Sequence, residues 1–164
     1  MTLNQRTILI QRTGAEVVLP DYRSVAHAIR NAFRDRPSDT FLIRQARAFG
    51  QLHLNRALFP TRSDSIDRRR SEVASMVDNW VALAIPLRPG TSSPRRSLGT
   101  LLDDMAAAEV EADRLRLGSE PVDADAVHQA WTALGELAIH WTDLVEQITN
   151  SQPWRWFADE AQNN

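Results

Sequence analysis

His53 and Arg70 are the two residues whose chemistry conflicts most with their position. Each falls in a stripe of apolar side chains: Leu42, Ala46, Phe49 and His53 in one, Ile66, Arg70, Val73, Val77, Trp80 and Ala84 in the other. Steps of three and four residues put the members of each stripe on one helix face. A guanidinium on an inward face has to be paired, because an isolated buried charge is strongly unfavourable. Asp103, Asp104, Glu109 and Glu136 are the candidate carboxylates on neighbouring helices. Two chemistries follow. In one, Arg70 forms a structural ion pair that fixes helix register, and His53 is a satisfied core histidine. In the other, Arg70 clamps a carboxylate or phosphate of a small anionic ligand bidentately, and His53 acts as acid or base near neutral pH. Asp103 completes that second set. Of the consecutive Arg68, Arg69 and Arg70, at most one or two can face inward.

Other catalytic signatures are missing. Glu136 and His140 stand four apart on one helix and could chelate, yet the paired Glu-x-x-His motifs of di-iron bundles and any His-Glu-x-x-His helix are absent. No metal or cofactor is therefore expected. The chain has no cysteine, no Gly-x-Ser-x-Gly elbow and no glycine-rich phosphate loop. All 19 basic residues are Arg, so neither a Schiff-base lysine nor a P-loop lysine exists. GC-rich coding explains that bias most simply; avoidance of lysine-targeted tagging is the alternative. A formal net charge of −2 offers no overall field to attract nucleic acid.

The elements that must position these residues are helical. The spacing predicts a first helix from Asp21 to about Arg36, with Tyr22, Val25, Ile29, Ala32 and Phe33 inward and Ser38-Asp39 capping the next. The second covers about residues 40–58 and is stopped by Pro60. The third begins at Ser63 or Asp64 and reaches Ile85, and a long loop over Pro86–Pro94 follows. The fourth spans about Leu98–Leu117 with Gly118 as C-cap, and the fifth runs from Pro121 or Asp123 to Asn150. In the fifth, Val127, Trp131, Leu134, Ala138, Trp141, Val145 and Ile148 form the clearest stripe in the chain. The expected fold is all-α: an antiparallel bundle of four long helices plus one shorter N-terminal helix. Residues 1–20, with Thr7-Ile8-Leu9-Ile10 and Glu16-Val17-Val18-Leu19 around Thr13-Gly14, read as a short extended or hairpin arm. Residues 151–164 form an aromatic tail in which Trp154, Trp156 and Phe157 either fold back on the bundle or dock to a partner subunit.

At 164 residues with 43% hydrophobic and 24% charged residues, the chain suits one domain with its own core. No apolar run approaches the ~20 residues that span a bilayer, and the N-terminus does not read as a signal peptide. A cytoplasmic location with no membrane partner is expected.

The runs VVLPDYRSVAHAIRNAF, QARAFGQLHLNR, IDRRRSEVASMVDNWVALAIP, SLGTLLDDMA and AWTALGELAIHWTDLVEQI resemble, in order and spacing, the domain-of-unknown-function family 4254, in particular its branch from GC-rich bacteria. The resemblance covers about residues 19–148. It implies a helical protein and supplies no activity. It also marks recurring polar positions at Leu52-His53, Arg70, Asp78, Trp80, Gly99 and Asp103. The chain departs from the pattern at Arg96, where the family has an acidic residue, and at Asp104, where it has a basic one. If those positions form a site in relatives, the reversed charges put it in doubt here.

The residues support a non-catalytic interaction or accessory protein, acting as a homodimer or partner subunit. The alternative is a small-molecule enzyme or binding protein built on His53, Arg70 and Asp103, and a nucleic-acid binder ranks last.

Overall fold

A computed structural model describes residues 17–85, 96–118, 121 and 123–150. Most of the expected N-terminal arm, the loop over Pro86–Pro94 and the tail with Trp154, Trp156 and Phe157 lie outside these residues. Within them the chain is all-helical, with five α-helices and no strand. These are α1 (Tyr22–Arg30), α2 (Phe41–Leu58), α3 (Ser63–Ala84), α4 (Leu98–Leu117) and α5 (Ala124–Asn150). A 3₁₀ turn, Pro60–Arg62, joins α2 to α3. Among the described residues, no helix is long and apolar enough to cross a membrane.

Caps set the boundaries. The Asp21 side chain accepts from the Ser24 amide at 2.8 Å and starts α1, while Ser97 does the same for Thr100 at the start of α4. The sequence places the end of α1 near Arg36, but the helix stops at Arg30. Both the amide and the side-chain nitrogen of Asn31 bond to the His27 carbonyl, which closes the last turn. Ala32 stays buried beyond the helix end, whereas Phe33, expected inward, is 70% exposed. The N-cap of α2 is Thr40 rather than Ser38 or Asp39. Gly118 does follow α4, but in an extended conformation and not the left-handed one that a glycine cap usually adopts.

One core joins all five helices, centred on Ile29, Phe49, Val77, Leu102, Met105 and Trp141. Helix α2 touches α1, α3 and α4, and α4 also packs on α3 and α5. Phe41 stacks on Trp80 with ring centroids 5.1 Å apart. The buried Trp141 donates its indole N–H to the Pro20 carbonyl at 3.0 Å, which ties α5 to the segment entering α1. The long stripe of α5 is covered only in part. Leu134, Trp141 and Ile148 are buried, whereas Trp131 is 59% exposed. Trp131 lines an open cleft with Asp113 and Arg116, which pair with each other, and with the small side chain of Ala112, so little of its ring is covered from α4.

Candidate functional site

Helices α3 and α4 are brought together by a backbone contact that only glycine permits. A Cβ at Gly99 would lie 2.3 Å from the Ala74 carbonyl oxygen. At the same crossing, the Asp78 carboxylate accepts from the Gly99 amide at 2.8 Å and caps one of the free donors at the start of α4. One turn from that crossing, Arg70 on α3 faces Asp103 on α4. Asp78 and Gly99 therefore set the spacing at which the Arg70 and Asp103 side chains meet.

Arg70 meets Asp103 in a two-pronged ion pair, Nε to Oδ1 at 2.9 Å and Nη2 to Oδ2 at 2.6 Å. From α2, His53 places Nε2 2.7 Å from the same Oδ1. The remaining terminal nitrogen of Arg70, Nη1, donates to Asp67 at 2.7 Å, and Asp67 also receives both Nε and Nη2 of Arg56. The result is one continuous network, His53–Asp103–Arg70–Asp67–Arg56, across α2, α3 and α4. Its side chains run from 10% exposed at His53 to 47% at Arg56.

The electrostatics follow from that geometry. Burial by itself would push the Asp103 carboxyl up. Hydrogen bonds from His53 and Arg70, with the charge of both, outweigh burial and bring it down to about 2. The Asp103 hydrogen bonds hold the Arg70 guanidinium above its ordinary value, and those from Arg56 lower Asp67. Three of the five guanidinium N–H groups of Arg70 already end on carboxylates. An added anion there would face Asp103 and Asp67 at close range. His53 uses Nε2 on Asp103, and Nδ1 has no hydrogen-bond partner among the described residues. Clefts of about 710, 480 and 410 Å³ open elsewhere on the described surface, and none of the three is lined by His53, Arg70 or Asp103.

Of the four carboxylates open to Arg70 in the sequence, Asp103 is the one that meets it. Asp104 pairs with Arg96 at 3.2 Å. Glu109 is buried elsewhere, accepting from Arg30 at 2.9 Å and from the Tyr22 hydroxyl at 3.1 Å. Burial, and then the Glu109 charge, push that hydroxyl up to about 12. Glu136 and His140 are both exposed on α5. Sequence reasoning did not anticipate Asp67 and Arg56 as members of the network, although the three-residue step from Asp67 to Arg70 is a legible helix pair. Nor did it single out Arg47, which is 3% exposed and donates to Asp39 and to the Asn31 carbonyl. Comparison with family models, with curated proteins and with solved structures finds no match.

Proposed function

We propose that the chain is a non-catalytic interaction or accessory protein that works as a homodimer or as a subunit beside a partner. The carrying observation is an apolar trough on the helical surface. Two adjoining clefts, of about 410 and 210 Å³, share Arg30, Glu109 and Asp113. Leu54, Leu58, Val110 and Leu117 line the first, and Trp131 and Leu134 the second. Leu58, Leu117 and Trp131 are each more than half exposed. Large exposed side chains gathered along one depression are characteristic of contact surfaces, and Trp is a favoured anchor there.

A second copy of the chain is the occupant that the charges favour. Arg30, Arg114 and Arg116 line the two clefts and pair with Glu109, Glu111 and Asp113 respectively, so their charges are balanced and the face does not repel itself. A twofold arrangement would bury the same patch on both copies. The underlying frame reads as four long antiparallel helices with α1 packed alongside, a reading supported by the short 3₁₀ link between α2 and α3. The enzymatic alternative, with an anion on Arg70 and proton transfer by His53, has less support, since two carboxylates already answer the guanidinium.

Sedimentation velocity tests the proposal. The intact chain should self-associate as its concentration rises. The Leu117→Glu/Trp131→Glu variant should stay monomeric with unchanged helical circular dichroism. A chain that remains monomeric up to about 100 μM contradicts the homodimer, and a variant that associates like the parent contradicts the trough as its contact surface.

A further inference from the structure

We infer that the cleft between α1 and the start of α2 is an anion site for a small molecule carrying a phosphate or diphosphate group, separate from the Arg70 network and meeting the trough only at Arg30. The cleft has a volume of about 710 Å³, within the range of small-molecule sites. Arg23, His27 and Arg30 line it from one face of α1, being four and three residues apart. Arg36 and Asp39 join them from the connecting turn, and Arg47 from α2. Four arginines thus surround one carboxylate on a chain whose formal net charge is −2. That carboxylate, Asp39, is already engaged by the Arg36 amide and by Nε of Arg47. The charge of Arg30 is answered by Glu109. Arg23 and Arg36 make no ion pair among the described residues and supply the remaining positive charge, with the charge of Asp21 acting on Arg23 and that of Asp39 on Arg36.

Arg47 supplies the second, independent observation. Its side chain is 4% exposed, yet only Nε and Nη1 have acceptors, in Asp39 and the Asn31 carbonyl. Nη2 donates to no group among the described residues. Buried donors are almost always satisfied, and an unsatisfied charged one is unfavourable enough to call for a partner. The contrast with Arg70 is direct, since there every guanidinium nitrogen meets a carboxylate. In this arrangement Arg47 is a donor fixed in place by Asp39, and Arg23 and Arg36 are exposed arms able to close on the bound group. Guanidinium groups pair with phosphate oxygens through two parallel N–H bonds, and several arginines together suit a multiply charged anion.

Isothermal titration calorimetry at low ionic strength, with inorganic pyrophosphate and with ADP, provides the test. The intact chain should bind pyrophosphate saturably at one site. Tighter binding of ADP would place an organic body in the rest of the cleft. Arg23→Gln and Arg36→Gln, both at exposed positions, should each weaken binding by about tenfold. Arg47→Lys keeps the charge but lacks the second terminal nitrogen, and should lose most of the affinity. If that variant does not fold, the Arg23→Gln/Arg36→Gln double variant decides. Absence of saturable binding of either probe up to about 10 mM overturns the inference. So does an unchanged affinity in the double variant, or an equal weakening by Arg69→Gln, which lies outside the cleft.

Discussion

Replacing Asp103 by Asn keeps the shape of the side chain and removes the charge that joins α2, α3 and α4. In the folded protein the Asp103 carboxyl titrates at about 2 instead of the ordinary 3.8, and that difference corresponds to about 2 kcal/mol of stability. The sign follows from a depressed folded value. The stabilisation is fully present above the unfolded value near 4, and is lost as pH falls from there toward 2. Removing one partner of a well-buried ion pair costs about 3–5 kcal/mol. Here Asp67 still answers Arg70 and the network is partly open to water, so about 2 kcal/mol at pH 7 is the expected loss for Asp103→Asn. Urea unfolding followed by circular dichroism would register this as a midpoint lowered by about 1 M. The gap between parent and variant should shrink by about 1 kcal/mol between pH 6 and pH 3, because the parent alone loses the benefit of its ionised carboxylate. An equal gap at both pH values would refute the electrostatic reasoning and assign the loss to shape. No gap at pH 7 would mean that the network adds nothing to stability.

The same substitution at two glycines should act in opposite directions. Gly99→Ala forces a methyl against the Ala74 carbonyl and should destabilise by about 2 kcal/mol or more, seen as a Tm lower by roughly 4–8 °C. Gly135→Ala, at an exposed position inside α5 with nothing within 4 Å of the new methyl, should stabilise by about 0.5–1 kcal/mol on the same thermal assay. Removing the carboxylate that caps the Gly99 amide, as in Asp78→Ala, should lower stability by about 1 kcal/mol in urea unfolding, with helix content retained.

The helix assignments were legible because punctuation and periodicity agree. Pro60 and Gly118 stop helices, and the stripes between the breaks keep a three-four rhythm. His53 and Arg70 stood out for the same reason, as polar members of apolar faces, and the need to pair a buried guanidinium narrowed its partner to four carboxylates. Choosing Asp103 among them requires the α3–α4 crossing, which depends on a close approach at Gly99 that no local pattern encodes. The Glu109 cluster was hidden for a related reason, since Tyr22 and Arg30 lie 87 and 79 residues from their acceptor. Trp131 shows a different limit. Periodicity says which side chains share a face, but not whether another element covers it, and Trp131 is left lining an open cleft with the paired Asp113 and Arg116. The end of α1 at Asn31 was not legible either: there the side-chain amide joins the backbone N–H in donating to the His27 carbonyl.

Hydrogen–deuterium exchange of the intact chain, compared at high and low protein concentration, tests the association through the trough most directly. Slower exchange at high concentration, confined to the end of α2 around Leu58, the end of α4 around Leu117 and the start of α5 around Trp131, is the predicted result. Exchange that does not depend on concentration, or protection that appears on a different face, would contradict it.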